Sequence, residues 1–494
     1  MKATKEKQRH TVKCPEVKVF FLVLLVWGLL FSFLVPMGQI PDEQAHLSMI
    51  GESLGNPDMA GILSNDVALG QQRIAWHDQE KIDPKEWQAA LTKQPGYTLL
   101  EVLPKGISLS VLKHFPATIG ILLGLLLHLP TFWVMQLGEL MNLLFYAGVS
   151  ALAFWLMPIR RNVFVFLMLF PTAMQQASSI SYDAIVLPLC YLFIAYLFHL
   201  KYRAKKIGLK ELFLLFAVLL LVTYSKVPYA LLAGLFLILP LDKINISLGK
   251  LVINQAVIKK WRIPLLVLFL ILVVAAAYVF RENRYLQVVF GMLTEPVQAV
   301  RLYYHTLWVS KKYWAISMVG SFGWMDSGVS LWFAVFVWLF AIVISMVCYE
   351  KITGNRFRFF ALFEKKAGKS VQESERIEHT ELFQMSPYER TIIWLTAVFL
   401  FLFMILSIVD YFILLTVYDN PFENIHYNIH EDLYKIPFID GVQGRYFLPF
   451  LSLFFLPLPH LKQIGKKKMW AALGLVVLIT AIYTISILVH RYWG

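Results

Sequence analysis

The sequence predicts an all-α polytopic membrane protein, a single membrane domain over residues 1–494 with about 10–12 transmembrane helices. Two observations carry this prediction. The chain is 58% hydrophobic and only 16% charged, whereas an ordinary soluble domain is about 45–50% apolar and about 25% charged. The mean hydropathy is +0.62. This composition excludes a typical soluble enzyme, a disordered chain and a collagen-like chain.

The apolar stretches define the predicted spans, and each must be helical because unpaired backbone groups are too costly in lipid. The first follows five basic residues and has no small-x-small cleavage site after it, so we interpret it as a retained signal anchor. The predicted spans are 17–37, 116–130, 132–157, 163–175, 184–200, 211–224, 228–241, 263–280, 329–349, 392–417, 446–461 and 469–489.

Lysine and arginine clusters beside the spans set the predicted orientation, because such residues concentrate in cytoplasmic loops. They occur at 1–18, 201–206, 259–262 and 466–468. The net charge of +13 is therefore interpreted as a topology signal and not as a nucleic-acid footprint. The N-terminus and the 350–391 loop are predicted to be cytoplasmic. The predicted extracytoplasmic loops are the long first loop 38–115, then 281–328 and 418–445.

One pair of basic residues conflicts with strict alternation. Arg160 and Arg161 favour the cytoplasm, yet counting every span places them outside. The stretch 116–130 is short and ends in Leu129-Pro130. If it is re-entrant or half-inserted, the chain makes 11 crossings and has an external C-terminus.

The three cysteines, Cys14, Cys190 and Cys348, indicate neither a disulfide framework nor a zinc site. None falls in a predicted extracytoplasmic loop, and their spacing does not match a metal-binding pattern.

An acidic motif, Pro41-Asp42-Glu43-Gln44-Ala45-His46, follows the first span. Proline suits the first position of a helix and acids suit its first turn, so one interpretation is a capped helix start. Residues 42 and 46 share a helical face. The alternative is a carboxylate at the lipid interface that removes a proton from an acceptor hydroxyl.

A polar run, Gln175 to Asp183, separates two apolar spans. Asp183 can act as a helix N-cap. The alternative is a second acid beside Asp42 that orients a substrate hydroxyl or a metal.

Two basic motifs lie at predicted outer boundaries. Lys226, within Tyr224-Ser225-Lys226-Val227-Pro228-Tyr229, is either a snorkelling lysine or a functional cation. Arg445 stands in Gln443-Gly444-Arg445-Tyr446. Arginine grips phosphate with two parallel hydrogen bonds, and the competing interpretation is an interfacial anchor with a belt tyrosine.

A glycine-rich aromatic turn, Gly320 to Asp326, closes the 281–328 loop. Trp324 and Asp326 are candidate sugar-binding residues, and a membrane-interface girdle is the alternative. The sequence has no Walker motif, GxSxG elbow, HExxH or EF-hand loop, and no nucleic-acid-binding motif.

The motifs in this order resemble a family of bacterial polytopic membrane proteins, long known as a domain of unknown function and grouped with the GT-C glycosyltransferases. The PDExxH and QGRYxxP motifs, Ser225-Lys226-x-Pro228-Tyr229 and Gly323-Trp324-Met325-Asp326 carry the resemblance.

The resemblance implies a GT-C-like bundle that transfers a sugar from a polyprenyl-phosphate donor outside the cytoplasm, usually with inversion. The acceptor would be a cell-envelope glycan or a lipid-linked molecule. Asp42 and Glu43, with His46, would be catalytic, and Asp42 is the first choice for the base. Arg445, aided by Lys226, would hold the donor phosphate, and Asp183, Trp324, Asp326, Gln443 and Tyr446 would bind substrate. The acid pair is Asp-Glu and not Asp-x-Asp, so a divalent metal stays an open alternative and no other cofactor is implied.

Two other classes of function compete with this interpretation. A lipid-linked glycan flippase or secondary transporter would usually show inverted repeats and broken helices near the midplane, whereas these polar motifs gather at one face. A silent scaffold in an envelope-assembly complex would not need the acid pair.

Overall fold

The fold is all-α, as the composition predicts. A computed structural model describes residues 15–67, 81–248, 251–279, 283–347, 385–417, 429–461 and 464–494. Within these ranges five helices are long and apolar enough to span a membrane: Pro15–Leu34, Thr131–Leu156, Asp183–Tyr202, Pro387–Ile413 and Lys466–Tyr492. The helices are α1 Pro15–Leu34, α2 Glu43–Ser53, α3 Asp58–Val67, α4 Pro84–Thr92, α5 Leu99–Val102, α6 Phe115–Leu126, α7 Thr131–Leu156, α8 Arg161–Met168, α9 Pro171–Ala177, α10 Asp183–Tyr202, α11 Leu209–Ser225, α12 Gln255–Val279, α13 Arg284–Thr294, α14 Pro296–Ser317, α15 Leu331–Met346, α16 Pro387–Val417, α17 Ile429–Lys435, α18 Ser452–Phe455 and α19 Lys466–Tyr492.

Short elements complete the described chain. The 3₁₀ helices are Leu109–Lys113, Val227–Ile238, Leu241–Lys243 and Gly444–Phe450. Two antiparallel hairpins pair β1 Asn245–Leu248 with β2 Leu251–Asn254, and β3 Ser321–Phe322 with β4 Ser327–Gly328.

The first and last long helices run parallel. Near their starts, Lys466 forms an ion pair with Glu16. At their ends, the Trp493 indole Nε1 donates to the Leu34 carbonyl at 3.0 Å. The chain therefore makes an odd number of passes between two faces, which we name the Glu16 face and the Leu34 face.

Helix α7 runs antiparallel to α1. The Ser32 hydroxyl donates to Glu139 Oε2 at 2.8 Å, while Phe20 at the other end of α1 packs on Phe154 with ring centroids 5.2 Å apart. Helix α7 thus starts at the Leu34 face and ends at the Glu16 face. Arg160 follows α7, so it lies at the Glu16 face.

Helix α6 does not cross, and the conflict over Arg160 and Arg161 is resolved by this. Gly120 and Gly124 of α6 lie directly against the backbone of Leu137 and Val134 in α7, a small-residue contact of the type that lets two helices approach closely. Helix α6 has 12 residues and reaches only from the start of α7 to its middle, where Phe115 packs on Phe145 with ring centroids 5.1 Å apart. This short helix agrees with the alternative in which residues 116–130 are re-entrant or half-inserted, and not with a full span.

Shorter apolar elements accompany the five long helices. Among the described residues they are α6, the 3₁₀ helix Val227–Ile238 and α15.

Lysines of two predicted basic clusters, Lys201 and Lys466, lie at one face. Lys201 at the end of α10 pairs with Glu389 at the start of α16 at 2.7 Å. Lys243 Nζ donates to the Lys201 carbonyl at 2.7 Å, and Lys466 lies at the same Glu16 face. That the Glu16 face is cytoplasmic stays a prediction from the basic clusters.

Several sequence predictions fall outside the described residues. They are the basic residues before position 15, Cys14 and Cys348, residues 68–80 of the first loop, 281–282, 350–384 of the cytoplasmic loop, and 418–428. Among the cysteines, Cys190 is described, and it is buried and free.

Candidate functional site

Arg445 is the centre of a polar cluster at the Leu34 face. Its Nη1 donates to the Pro41 carbonyl and to Gln176 Oε1, both at 3.1 Å. Its Nη2 forms an ion pair with Asp42, and its Nε lies 3.6 Å from Asp183 Oδ2. The Arg445 side chain is only 4% exposed. Acids distant in sequence therefore converge on one buried guanidinium, as the sequence predicts for Asp42, Asp183 and Arg445.

The local backbone explains why Arg445 reaches this position. It lies in the 3₁₀ helix Gly444–Phe450, with Gln443 at the N-cap. A Cβ at Gly444 would collide with Ser317 and with the Met318 backbone, so only glycine permits this close approach. Gln443 is itself partly exposed.

Asp42 is an exposed acid of the cluster. It caps α2 in a left-handed conformation, with φ 68°, which aspartate tolerates better than most residues. Its side chain is 51% exposed. One carboxylate oxygen, Oδ2, pairs with Arg445, and within the described part of the chain Oδ1 has no protein partner. Asp42 therefore presents an acceptor oxygen outward from a fixed position.

Glu43, the acid next to Asp42, is buried and has both carboxylate oxygens hydrogen-bonded. Its Oε2 accepts a hydrogen bond from Gly38 N at 2.7 Å, and its Oε1 accepts from Ile180 N at 2.9 Å. Burial raises the pKa of Glu43, although these backbone hydrogen bonds act in the opposite direction. Glu43 thus joins the loop after α1 to the 178–182 loop, and its side chain faces the interior.

His46 lies behind this layer. Its Nδ1 is 3.0 Å from His114 Nε2, and its Nε2 is 3.4 Å from the Ser181 hydroxyl. Its ring meets the Tyr182 ring edge-on at 4.6 Å. Burial lowers the pKa of His46 well below its ordinary value and that of His114 to about 4. Both imidazoles are therefore neutral at pH 7 and fix α2 against the 178–182 loop.

Lys226 reaches the cluster from the corner between α11 and the next 3₁₀ helix. Its Nζ lies 3.3 Å from the centroid of the Tyr446 ring, and the Tyr446 carbonyl accepts from Tyr229 Oη at 3.0 Å. Lys226 and Tyr446 are both partly exposed. Burial is the largest influence on Lys226 and lowers its pKa to about 7, against the attraction of Asp183.

The other two predicted substrate-binding residues make contacts outside the Arg445 cluster. Trp324 Nε1 donates to the Gly38 carbonyl at 3.2 Å, so the β3–β4 turn rests on the loop before Asp42. Asp326 Oδ2 accepts from Arg491 Nε at 3.0 Å and Nη2 at 2.8 Å, at the end of α19. The structure thus gives Trp324 a supporting contact and Asp326 a buried ion pair.

Three cluster residues were absent from the site predicted from sequence: Gln176, Tyr182 and His114. Gln176 and Tyr182 belong to the polar run that pointed to Asp183, so their neighbourhood was a usable signal. His114 belongs to no motif, and only its position at the end of the first loop could have drawn attention to it.

The open question of a divalent metal can be tested on the donor set. Among the described residues no three His, Cys, Asp or Glu side chains group as metal ligands. The carboxylates of Asp42 and Asp183 converge on Arg445. Because a guanidinium occupies the position between the acids that a cation would need, the cluster does not suit a metal.

The architecture and cluster define a polytopic α-helical membrane protein with an acid–guanidinium centre at one face. The family model described as "Predicted membrane protein (DUF2142)" matches residues 25–454, which is most of the chain, and the protein belongs to this family. Neither the curated proteins nor the solved structures yield a match. Membership of this family of predicted membrane proteins is therefore confirmed, while the grouping with GT-C enzymes stays a prediction.

Proposed function

We propose that this protein is a membrane glycosyltransferase that moves a sugar from a polyprenyl-phosphate-linked donor to a glycan or lipid-linked acceptor. The observation that carries the proposal is the half-exposed Asp42 carboxylate, held by a buried Arg445 with one oxygen free. A general base must be positioned within reach of the proton it removes, and this acid is both fixed and accessible.

The reaction follows from these positions. Asp42 Oδ1 takes the proton of an acceptor hydroxyl while the acceptor oxygen forms a bond to the anomeric carbon of the donor sugar. The bond between that carbon and the donor phosphate oxygen breaks, and the phosphate leaves with the electron pair. Attack from the side opposite the leaving group inverts the anomeric centre.

The role of Arg445 differs from the one that the family resemblance implies. Arg445 already donates to Pro41, Gln176 and Asp42 and lies beside Asp183. We assign it to positioning Asp42. The departing phosphate is assigned to Lys226, whose ammonium has no ion-pair partner among the described residues and rests on Tyr446. A fixed cation at that point stabilises charge as it develops.

The location suits this substrate class. A polyprenyl donor dissolves in the bilayer, so its phosphate lies near the membrane interface. The cluster lies at the start of α10 and the end of α11, both on the Leu34 face. The basic clusters predict that this face is extracytoplasmic.

The test uses the purified protein in lipid nanodiscs with a panel of polyprenyl-phosphate-linked sugars. We expect release of polyprenyl phosphate from at least one donor and its loss in Asp42→Asn. Glu52→Gln is the matched control, because Glu52 is an exposed acid on α2 outside the cluster. Donor turnover that is equal in Asp42→Asn and wild type would overturn the assignment.

A further inference from the structure

A second lysine lies beside the candidate site and has no role in the proposed transfer step. Lys113 ends the 3₁₀ helix Leu109–Lys113, and its Nζ lies 5.0 Å from the centroid of the Tyr224 ring. Tyr224 precedes Lys226 by two residues. Lys113 therefore contacts the residue that stands two positions before Lys226, where α11 ends.

The position of Lys113 is fixed by its neighbour. His114 is held by His46 at 3.0 Å, and its ring is 5.9 Å from that of Tyr182. Lys113 thus comes from the far end of the first loop, while Lys226 comes from the end of α11. The folded chain brings the two lysines to the same side of the Asp42 cluster.

Among the described residues, the ammonium groups of Lys113 and Lys226 rest on aromatic rings and make no ion pair. In the part of the chain that the structure describes, neither has a carboxylate within ion-pair distance. A cation over an aromatic ring is held by about 0.5–2 kcal/mol, which positions the charge without neutralising it. Asp42 and Asp183, the nearest acids, converge on Arg445. Two lysines without an ion pair among the described residues therefore stand near the cluster, and because the pKa of Lys226 is about 7, a bound anion would favour its charged form.

The surroundings are apolar and exposed. Leu109 is 68% exposed, Val227 is 67% exposed, and Leu112 and Tyr224 are about 40% exposed. This surface continues onto α6, where Ile119 and Leu123 are each 44% exposed. Exposed apolar side chains beside paired cations suit a lipid with an anionic headgroup.

We propose that Lys113 and Lys226, resting on Tyr224 and Tyr446, form a two-cation site for the diphosphate headgroup of a polyprenyl-linked substrate. The proposal rests on the proposed function and narrows its substrate class. A sugar phosphodiester carries one negative charge and a sugar diphosphate carries two, so two lysines match the second. The polyprenyl chain lies across the exposed leucines.

Binding without turnover tests this site. Wild type in phosphatidylcholine nanodiscs is titrated with the methyl ester of polyprenyl diphosphate, the methyl ester of polyprenyl monophosphate and inorganic diphosphate, with native mass spectrometry as the readout. The two methyl esters carry two and one negative charges, as the sugar-linked lipids do. We expect the lipid diphosphate to bind about tenfold tighter than the lipid monophosphate, a difference equivalent to about 1.4 kcal/mol. We expect inorganic diphosphate to bind more weakly than either lipid, because it lacks the chain.

Variants separate the site from general electrostatics. Lys113→Gln should abolish the preference for diphosphate, and Lys113→Arg should restore it. Lys105→Gln is the matched control, an exposed lysine in the same loop without a tyrosine contact in the described structure. An equal loss in Lys105→Gln and Lys113→Gln would overturn the proposal, as would equal affinity of wild type for the two lipids. Failure of wild type to bind any polyprenyl phosphate would instead count against the proposed function itself.

Discussion

Two buried arginines at the Leu34 face hold aspartates, yet the two centres differ in exposure. Arg491 and Asp326 are 7% and 8% exposed, and both hydrogen bonds go to one oxygen of the acid. Arg445 is just as buried, but its partner Asp42 is 51% exposed. The first centre closes the end of α19 against a turn, whereas the second presents a free carboxylate oxygen. The exposure of the acid distinguishes a candidate site from a structural ion pair.

The largest expected effect separates the two centres by activity. Asp42→Asn removes the proposed base and should reduce sugar transfer about 10²–10⁴-fold, with little effect on folding because the side chain is half exposed. Asp326→Asn should leave transfer per folded molecule within about twofold, as expected of a residue outside the proposed chemistry. Donor turnover in nanodiscs, normalised to folded protein, measures both. A larger activity loss in Asp326→Asn than in Asp42→Asn would reverse the comparison.

The next effect separates the centres by stability. Arg491→Met leaves the buried Asp326 without its cation, and breaking a buried pair in this way costs about 3–5 kcal/mol. The expected result is a large fall in the thermal unfolding temperature in detergent. The double variant Arg491→Met, Asp326→Leu should recover most of it, since it removes both charges. If the single variant unfolds at the wild-type temperature, this pair is not structural.

A smaller effect comes from the pH dependence of Lys226. Its pKa of about 7 means that the unliganded lysine loses its charge as the pH rises through 7. Affinity for a lipid phosphate should therefore fall about tenfold between about pH 6 and about pH 8. Titrations across this range measure the change. Lys226→Arg keeps its charge and should flatten the profile, and an unchanged slope in that variant would assign the titration to another group.

The smallest effect is the pH dependence that His114, paired with His46, gives to the stability of the folded protein. The folded protein keeps His114 neutral down to about pH 4, whereas an unfolded chain protonates histidine near 6.5. The unfolded state then binds more protons, so stability is full above about pH 6.5 and falls as the pH drops toward 4. Thermal unfolding at several pH values checks this. His114→Asn should reduce the slope, and an identical slope would exclude a contribution from His114.

The sequence predicted much of the fold because apolar length and basic flanks are local signals. The spans at 132–157, 184–200 and 469–489 correspond to α7, α10 and α19. The behaviour of 116–130 could be raised only as an alternative. Its outcome depends on contacts such as Gly120 with Leu137, which link two segments and leave no trace in hydropathy.

The candidate site was predictable in its members and less so in their arrangement. Asp42, Asp183 and Arg445 each carried a local motif, and the structure brings them together. Glu43 looks equivalent to Asp42 in sequence, but the Gly38 and Ile180 amides take both its oxygens. Asp326 has a motif as clear as that of Arg445, yet its partner lies 165 residues away at Arg491. Burial and long-range pairing decide these cases, and neither is readable from a short motif.

The parallel course of α1 and α19 has a practical consequence for locating the reaction. Because the Trp493 indole donates a hydrogen bond to the Leu34 carbonyl, the last described residues lie on the same side of the protein as the exposed Asp42 carboxylate. A reporter domain fused after position 494 would therefore report the compartment that the exposed Asp42 carboxylate faces. A periplasm-active reporter and a cytosol-active reporter at that one junction would assign the compartment without any knowledge of the sugar.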